Sequence, residues 1–215
     1  MPLTLDRIAI ELQYETRMRR AILHLKTNDA VMAAIIERIG PLKPAFTDPT
    51  FESLARAIVY QQLNGKAART IYDRFSTAAG GILTPKSVLA LSVDQMRACG
   101  LSRQKLSYIR DLAEKTLSGD IVFENLPHLS DEEVIVHLTR VKGIGVWSAQ
   151  MFLMFALRRQ NVMPTGDYGI RAAIKKAYRK RKLPKPEEML KLSRKWQPYC
   201  TLACYYLWRS LDIET

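Results

Sequence analysis

Apolar residues recur along much of this chain at intervals of three and four positions, which is the period of an amphipathic α-helix. Two segments show the period well, the first made of Phe51, Leu54, Ala55, Ile58, Val59 and Leu63, the second of Leu106, Ile109, Leu112 and Ala113. From Pro198 to Leu211 the chain is apolar and aromatic with the same spacing. Only residues 3–12 fit a strand as well as a helix. The pattern predicts an all-α protein.

Helix start signals stand before several of the apolar stretches. Ser92 lies three residues before Gln95, and Ser130 lies three residues before Glu133, as in a capping box. Thr84-Pro85 is also typical of a helix start. Most acidic residues near these points are therefore explained by capping rather than by chemistry.

Turns rich in glycine and proline, at residues 40–44 and 163–166, are the weak boundaries in the chain. They predict two helical lobes with a cleft between them. The terminal lobe takes residues 1–48 and 165–215, and the central lobe takes residues 49–164, with a helix-hairpin-helix at about 130–158.

Lysine and arginine total 33 against 21 aspartate and glutamate, so the chain carries a net charge of +12. This balance favours a polyanionic partner, of which nucleic acid is the leading class. The longest uncharged apolar stretch, Met151 to Leu157, is too short to span a bilayer, and Asp6-Arg7 argues against a signal peptide. We expect an intracellular protein, monomeric, with no membrane partner.

Three cysteines, Cys99, Cys200 and Cys204, are too few for a disulfide framework. Cys200 and Cys204 can share one face of a helix, but the chain has only three histidines to complete a zinc site. Core packing is the better interpretation of both cysteines, and also of Trp196.

The segment from Leu138 to Ala149 joins two apolar helices through Gly143 and Gly145. The glycines allow a tight turn and leave backbone amides uncovered by a Cβ, and the second helix begins where those amides point. A helix N-terminus of this kind binds phosphate. This hairpin, together with Asp167 downstream, is the strongest functional signal in the sequence.

The hairpin, the turn that leads to Asp167 and the stretch from Lys195 to Trp208 resemble the helix-hairpin-helix DNA glycosylases of the 3-methyladenine glycosylase II branch, over roughly residues 45–210. The resemblance implies the compact form of that family, without its extra N-terminal β domain. It implies base-excision repair of double-stranded DNA, bound in the cleft between the lobes, in a bacterial nucleoid or a eukaryotic nucleus. The reaction would hydrolyse the N-glycosidic bond of alkylated purines of the 3-methyladenine and 7-methylguanine type, releasing the free base and leaving an abasic site.

The residue at position 147 bears on the chemistry. Family members that also cut the DNA strand carry a lysine there, so Trp147 implies hydrolysis alone. The branch with an iron–sulfur cluster carries four cysteines near the C-terminus, and the two in this chain exclude a cluster on ligand count. The expected reaction requires no cofactor.

Asp167 is the expected catalytic residue. An alkylated purine already carries positive charge and leaves readily, and a carboxylate stabilises the oxocarbenium character that develops on the sugar. The carboxylate can also orient or deprotonate the attacking water. Sequence statistics alone favour a helix N-cap, because Gly166-Asp167 precedes a predicted helix at 168–181. The two roles are compatible, since a helix N-terminus favours the ionised carboxylate.

The target base must be flipped out of the duplex into a pocket, and aromatic walls suit a cationic base. The resemblance points to Trp147, Trp208, Tyr60 and Phe155, with Met151 where the family has a pocket tyrosine. Trp147, Met151 and Phe155 also have the spacing of a buried helix face, which is the alternative interpretation.

The resemblance also assigns a wedge, which fills the gap that a flipped base leaves in the stack. Gln62, in the segment Tyr60 to Asn64, stands where the wedge is expected, and Leu63 is the fallback. The alternative is an ordinary helix C-terminus capped by Asn64-Gly65.

The hairpin has two further predicted sets of ligands. The resemblance implies that backbone carbonyls hold a sodium or potassium ion, and these belong to Thr139, Val141 and Ile144. A DNA phosphate would be bound by Lys142, Gly143, Gly145, Val146 and Ser148.

The remaining charged residues carry no motif. Asp73, Asp111 and Asp120 are interpreted as surface charges, and the basic stretch 171–182 fits a DNA-facing surface or a merely solvated helix face. Two other functions stay open: a sequence-independent DNA-binding module without catalysis, and a glycosylase for deaminated or oxidised bases.

Overall fold

The computed structural model describes residues 5–212, with side chains from residue 16 onward. Over that range the chain is helical and contains no strand, which confirms the predicted all-α class. The helices are α1 (Leu5–Asn28), α2 (Ala30–Ile39), α3 (Phe51–Tyr60), α4 (Gly65–Ala78), α5 (Pro85–Ala90), α6 (Val93–Ala98), α7 (Arg103–Leu117), α8 (Asp131–Thr139), α9 (Val146–Phe155), α10 (Tyr168–Ala177), α11 (Pro186–Ser193) and α12 (Cys200–Asp212), with a short 3₁₀ turn at Leu126–His128.

The ambiguous first segment is helical from Leu5, because α1 continues unbroken to Asn28. Residues 3 and 4 lie outside the described residues. Further along, Ser92 with Gln95 and Ser130 with Glu133 form the reciprocal hydrogen bonds of a capping box, as their spacing predicts. None of the described helices is long and apolar enough to cross a membrane.

The chain divides into two compact units. The terminal unit joins the chain before Ala45 to the chain from Gln160 onward, and the central unit is Ala45–Arg159. These divisions fall a few residues before the predicted boundaries at 48/49 and 164/165. The predicted lobes and the cleft between them stay predictions.

The terminal unit is built on α12, which packs against α2 and α10, while α1 packs against α2. Its largest fully buried side chains are Trp196 and Tyr206. Cys200 and Cys204 are buried in the same helix α12 and are not in a disulfide, which confirms their packing role.

Asp29, only 3% exposed, connects three parts of the terminal unit. Its Oδ1 caps α2 by accepting from the amides of Val31 at 3.0 Å and Met32 at 3.3 Å. Its Oδ2 accepts from the Tyr178 hydroxyl at 2.7 Å and from Trp196 Nε1 at 3.0 Å. The buried carboxylate therefore satisfies four donors and ties α2 to α10 and to the turn before α12.

The central unit is built around α7, which packs against α3, α5 and α6, while α8 packs on α9. The side chains of α7 that are fully buried in this core include Ile109 and Leu112. One face of α7 also carries polar residues that contact the C-terminal end of α3 and the turn after α8. That face matters for the functional site.

We expect Asp29→Ala to destabilise the protein by about 3 kcal/mol, because it removes a helix cap and leaves two buried donors without their acceptor. Urea unfolding measures the loss. The matched control is Asp73→Ala, whose exposed carboxylate lies 3.6 Å from Arg69 Nε, and which should cost less than about 0.5 kcal/mol. Equal losses for the two variants would contradict the role given to Asp29.

Candidate active site and DNA-binding hairpin

The hairpin is the connection between α8, which ends at Thr139, and α9, which begins at Val146. Gly143 has φ +77°, a left-handed conformation that favours glycine. A Cβ at this position would lie 2.0 Å from Cδ2 of the Tyr108 ring. Glycine is therefore required twice at 143, by the backbone conformation and by the aromatic ring that lies against it.

The N-terminus of α9 is open to a ligand. Gly145 occupies the N-cap position and has no side chain with which to cap the helix. A Cβ at Gly145 would meet no atom within 4 Å, Val146 is exposed and Ser148 is half-buried. Uncapped amides at a helix start attract an anion, which supports the predicted phosphate contacts.

Asp111 is not a surface charge, so its interpretation from the sequence was wrong. It is 6% exposed, and its Oδ2 accepts from the backbone amide of Lys142 at 2.8 Å. Its Oδ1 lies 2.8 Å from Lys115 Nζ and 3.5 Å from Lys142 Nζ. Burial alone raises the pKa of Asp111, but these hydrogen bonds and the two ammonium charges bring that pKa below its ordinary value. Burial is tolerated because the carboxylate is paired.

The other two aspartates are at the surface as predicted. Asp73 is exposed beside Arg69, and Asp120 accepts a hydrogen bond from the exposed Ser118 hydroxyl at 2.8 Å.

The predicted alkali-ion ligands surround a shallow depression of about 480 Å³ lined by residues 139–145. Val141 O already accepts from the amide of Ile144 at 3.1 Å, and its second lone pair leaves it able to bind a cation. Among the described residues no group of three or more histidine, cysteine or carboxylate side chains forms a metal site. The ion at Thr139, Val141 and Ile144 stays a prediction.

The wedge segment leaves helical geometry earlier than the apolar pattern suggests. Helix α3 ends at Tyr60, and Gln62 has φ +55° with an exposed side chain, followed by exposed Leu63. The alternative cap was wrong, because Asn64 starts α4, where its side chain accepts from the Ala67 amide at 2.9 Å. Asx residues at such positions favour N-caps.

The wedge segment is joined to the hairpin inside the central unit. Gln61 Nε2 donates to the carbonyl of Gly143 at 3.0 Å. The sequence offered no signal for this contact between residues far apart in the chain.

Asp167 is the N-cap of α10, as sequence statistics favoured. Its Oδ1 accepts from the amide of Ile170 at 2.7 Å and from Trp208 Nε1 at 2.9 Å. The residue is 7% exposed. A Cβ at Gly169 would lie 3.1 Å from Trp208 Cδ1 and 3.2 Å from Asp167 Oδ1, so the indole, the glycine and the carboxylate are closely packed. Capping leaves the carboxylate oriented by two donors, and catalysis stays a prediction.

Aromatic side chains surround this cap in the terminal unit. Trp208 is half-buried and stacks on Tyr205, with ring centroids 6.2 Å apart and planes at 29°. Tyr168, the first residue of α10, is 70% exposed. Tyr168 was not among the predicted site residues, although an aromatic residue directly after Asp167 was a visible signal in the sequence.

The predicted pocket residues of the central unit lie on the accessible side of α9. Trp147 is 47% exposed, and Met151 and Phe155 are half-buried. The buried face of α9 is a different set, made of Ala149, Phe152, Leu153 and Met154. The alternative of a buried face for Trp147, Met151 and Phe155 was therefore wrong, because the helix turns its other side to the core.

Tyr60 is half-buried at the end of α3, and the Arg56 guanidinium lies 4.9 Å from its ring centroid. Trp196, assigned to packing, is fully buried.

Residues 55–198 match the model of the HhH-GPD superfamily of base excision DNA repair proteins. The chain belongs to this superfamily. The resemblance read from the hairpin and Asp167 is confirmed.

Relatives of this HhH-GPD protein match it over most of its length. A DNA-3-methyladenine glycosylase from Schizosaccharomyces pombe is 36% identical over 201 residues, covering 91% of this chain and 88% of the relative. A putative DNA-3-methyladenine glycosylase from Bacillus subtilis is 30% identical, covering 93% and 71%. The solved structure of S. pombe 3-methyladenine DNA glycosylase in complex with abasic DNA has a TM-score of 0.81, at 36% identity, covering 91% of this chain and 98% of that one.

The basic stretch 171–182 of the HhH-GPD protein is partly engaged within the terminal unit. Arg171 Nε donates to the carbonyl of Pro184 at 3.1 Å, and Lys180 pairs with Glu188 at 2.7 Å. Lys175, Arg181 and Lys182 are exposed. Local contacts therefore account for Arg171 and Lys180. Both interpretations of the stretch, a DNA-facing surface and a solvated helix face, stay open.

We expect Gly143→Ala to weaken duplex binding by about tenfold or more and to cost at least about 2 kcal/mol of stability, because Tyr108 and the hairpin cannot both keep their places. Fluorescence anisotropy with labelled duplex and urea unfolding measure the two effects. Gly65→Ala is the control for stability, since a Cβ there meets nothing within 4 Å. An unfolding free energy as little changed at 143 as at 65 would contradict the steric argument.

Proposed function

We propose that this protein is a base-excision repair glycosylase that hydrolyses the N-glycosidic bond of alkylated purines, of the 3-methyladenine and 7-methylguanine type, in double-stranded DNA. The products are the free base and an abasic site. The observation that carries the proposal is the Asp167 carboxylate, held at the start of α10 by the Ile170 amide and the Trp208 indole. Relatives that bear the name of DNA-3-methyladenine glycosylase support the substrate class.

The bond to be broken explains why one carboxylate suffices. A purine alkylated at N3 or N7 is already cationic, so it departs without protonation by a general acid. The activation barrier then comes mainly from the oxocarbenium character that the sugar develops, and an adjacent anion stabilises that charge. Asp167 supplies the anion, at the start of α10.

The two donors to Asp167 Oδ1 orient the carboxylate before substrate arrives. A preoriented anion needs no reorganisation when charge develops in the transition state. The same group positions the water that attacks the sugar carbon, so hydrolysis and electrostatic stabilisation are performed by one residue.

Hydrolysis without strand cleavage follows from position 147. A covalent route to strand cleavage needs a primary amine that attacks the sugar and forms a Schiff base. Trp147, in the first turn of α9, has no such group. The proposed enzyme is therefore monofunctional and needs no cofactor.

The aromatic residues support selection of a cationic base. Trp208 in the terminal unit, and Trp147 and Phe155 in the central unit, are all at least partly accessible. An aromatic face attracts a cation by about 0.5–2 kcal/mol, and a neutral purine gains less from the same contact. Tyr60 and Met151 of the central unit are half-buried and are further proposed contacts for the base.

DNA is the proposed partner. The hairpin would bind the phosphate backbone, and the wedge residue Gln62 would fill the gap that the flipped base leaves in the base stack. The net charge of +12 favours association with a polyanion. Gln62 is exposed and held in a left-handed conformation at the tip of the wedge segment, so its side chain projects from a turn rather than from a helix.

We expect Asp167→Asn to lower the rate of base release from methylated duplex by about 10²-fold or more, while duplex affinity changes by less than about threefold. Single-turnover release of methylated bases and anisotropy measure the two quantities. Asp73→Asn, an exposed charge change in the central unit, is the control and should keep the parent rate. A parent-like rate for Asp167→Asn would remove the catalytic assignment. Duplex binding without base release by the parent protein would favour the DNA-binding module.

We expect Trp208→Phe to slow saturated single-turnover release by about tenfold, because the ring is kept while the Nε1 donor to Asp167 is lost. Trp208→Ala removes both and should be slower still. A parent-like release rate for Trp208→Phe would show that the indole N–H has no part in orienting the carboxylate.

A further inference from the structure

One buried carboxylate beside the hairpin has no part in the proposed chemistry. Asp111 lies on α7, and its contacts are with the backbone and side chain of Lys142 and with Lys115. A buried carboxylate near a phosphate-binding loop is unfavourable for two reasons: it loses hydration, and it repels the ligand. Its presence calls for a compensating role.

The first contact is to the backbone of the hairpin. Asp111 Oδ2 accepts from the Lys142 amide at 2.8 Å, one residue before Gly143. This bond satisfies an amide that the turn leaves without a helical partner, and it fixes the chain at the point where φ becomes positive. The Lys142 amide is consequently directed into the protein, and a phosphate is left with the amides that follow it.

The other contacts balance the charge. Lys115 Nζ lies 2.8 Å and Lys142 Nζ 3.5 Å from Asp111 Oδ1, so two ammonium groups offset one carboxylate. The Lys142 side chain is largely exposed, and it can turn to a phosphate without leaving Asp111 unpaired, because Lys115 remains.

The same face of α7 contacts both the hairpin and the C-terminal end of α3. Tyr108, three residues before Asp111, packs on Gly143. Lys105, three residues before Tyr108, donates to the carbonyl of Val59 at 2.7 Å, near the end of α3. Residues three apart lie on one side of a helix. The turn after α8 is therefore held at three places. Asp111 accepts from the Lys142 amide, the Tyr108 ring lies against Gly143, and Gln61 donates to the Gly143 carbonyl.

We propose that Asp111 is a positioning residue for DNA binding: through the Lys142 amide it sets the backbone of the hairpin so that the amides of Gly143, Gly145 and Val146 face the phosphate. The proposal rests on the DNA-binding part of the proposed function and not on base release. It acts on affinity, and the chemical step at Asp167 is unaffected once DNA is bound.

Two variants with the same charge separate positioning from electrostatics. Asp111→Asn keeps an oxygen that can accept from the Lys142 amide, whereas Asp111→Ala removes it, and each adds one unit of positive charge relative to the parent. We expect Asp111→Ala to bind intact duplex about tenfold more weakly than Asp111→Asn, which is about 1.4 kcal/mol, the size of one hydrogen bond. Anisotropy titration at several salt concentrations measures both affinities.

The control pair is Asp120→Asn and Asp120→Ala. Asp120 is an exposed aspartate of the central unit whose partner is the Ser118 hydroxyl. These two variants should bind duplex within twofold of one another. All affinities are measured below the melting transition of each variant, followed by circular dichroism, so that a loss of folded protein is not counted as a loss of binding.

Two further measurements distinguish positioning from a merely structural role. Saturated single-turnover release from methylated DNA should stay within twofold of the parent in both Asp111 variants, because only binding is altered. In the parent protein, hydrogen exchange followed by NMR should show the Lys142 amide exchanging at least about tenfold more slowly than an unstructured lysine amide.

Equal duplex affinity for Asp111→Ala and Asp111→Asn would overturn the proposal, as would fast exchange of the Lys142 amide in the parent. The exchange measurement decides alone if Asp111→Ala does not fold. Because intact duplex is the probe, failure of the glycosylase chemistry would leave this test valid, and a parent protein that releases no base but shows the affinity difference would refute only the proposed function.

Discussion

The contribution of the terminal unit to the candidate site depends on the two hydrogen bonds that Asp167 Oδ1 accepts. One donor is in the α10 backbone and the other is on α12, so the orientation of the carboxylate is set by two helices that pack on each other. Asp29 acts by the same principle elsewhere in this unit, since its buried carboxylate accepts from Tyr178 directly after α10 and from Trp196 in the turn before α12. The unit is thus held together by anions that are satisfied rather than exposed, as burial requires.

The central unit solves a different problem, which is to present backbone rather than side chains. Backbone amides point to a ligand only if the loop that carries them is rigid, and glycines by themselves make a loop loose. The rigidity is supplied by α7, through the Tyr108 ring against Gly143 and the Asp111 carboxylate on the Lys142 amide. The glycines of the hairpin therefore allow the tight turn, while α7 supplies the contacts that keep the turn rigid enough to bind a phosphate.

Local signals in the sequence carried the fold class, the capping boxes and the hairpin, because each depends on residues within a few positions of one another. The helical period of α9 was also recognisable, but which side of it faces the core was not, since that depends on α8 and the rest of the unit. Asp111 was misjudged for the same reason: its donors are 31 residues away at Lys142 as well as on its own helix. The pairing of Trp208 with Asp167 spans 41 residues and has no local trace.

Gly169 limits how the surroundings of the carboxylate can change in evolution. Any larger residue there would press on the indole of Trp208 and on Asp167 itself, at separations of 3.1 and 3.2 Å. The neighbouring Tyr168 has no such restriction, because most of its surface is open. Of these two adjacent positions, the glycine is therefore restricted by its neighbours, whereas the tyrosine can be exchanged without disturbing the carboxylate beside it.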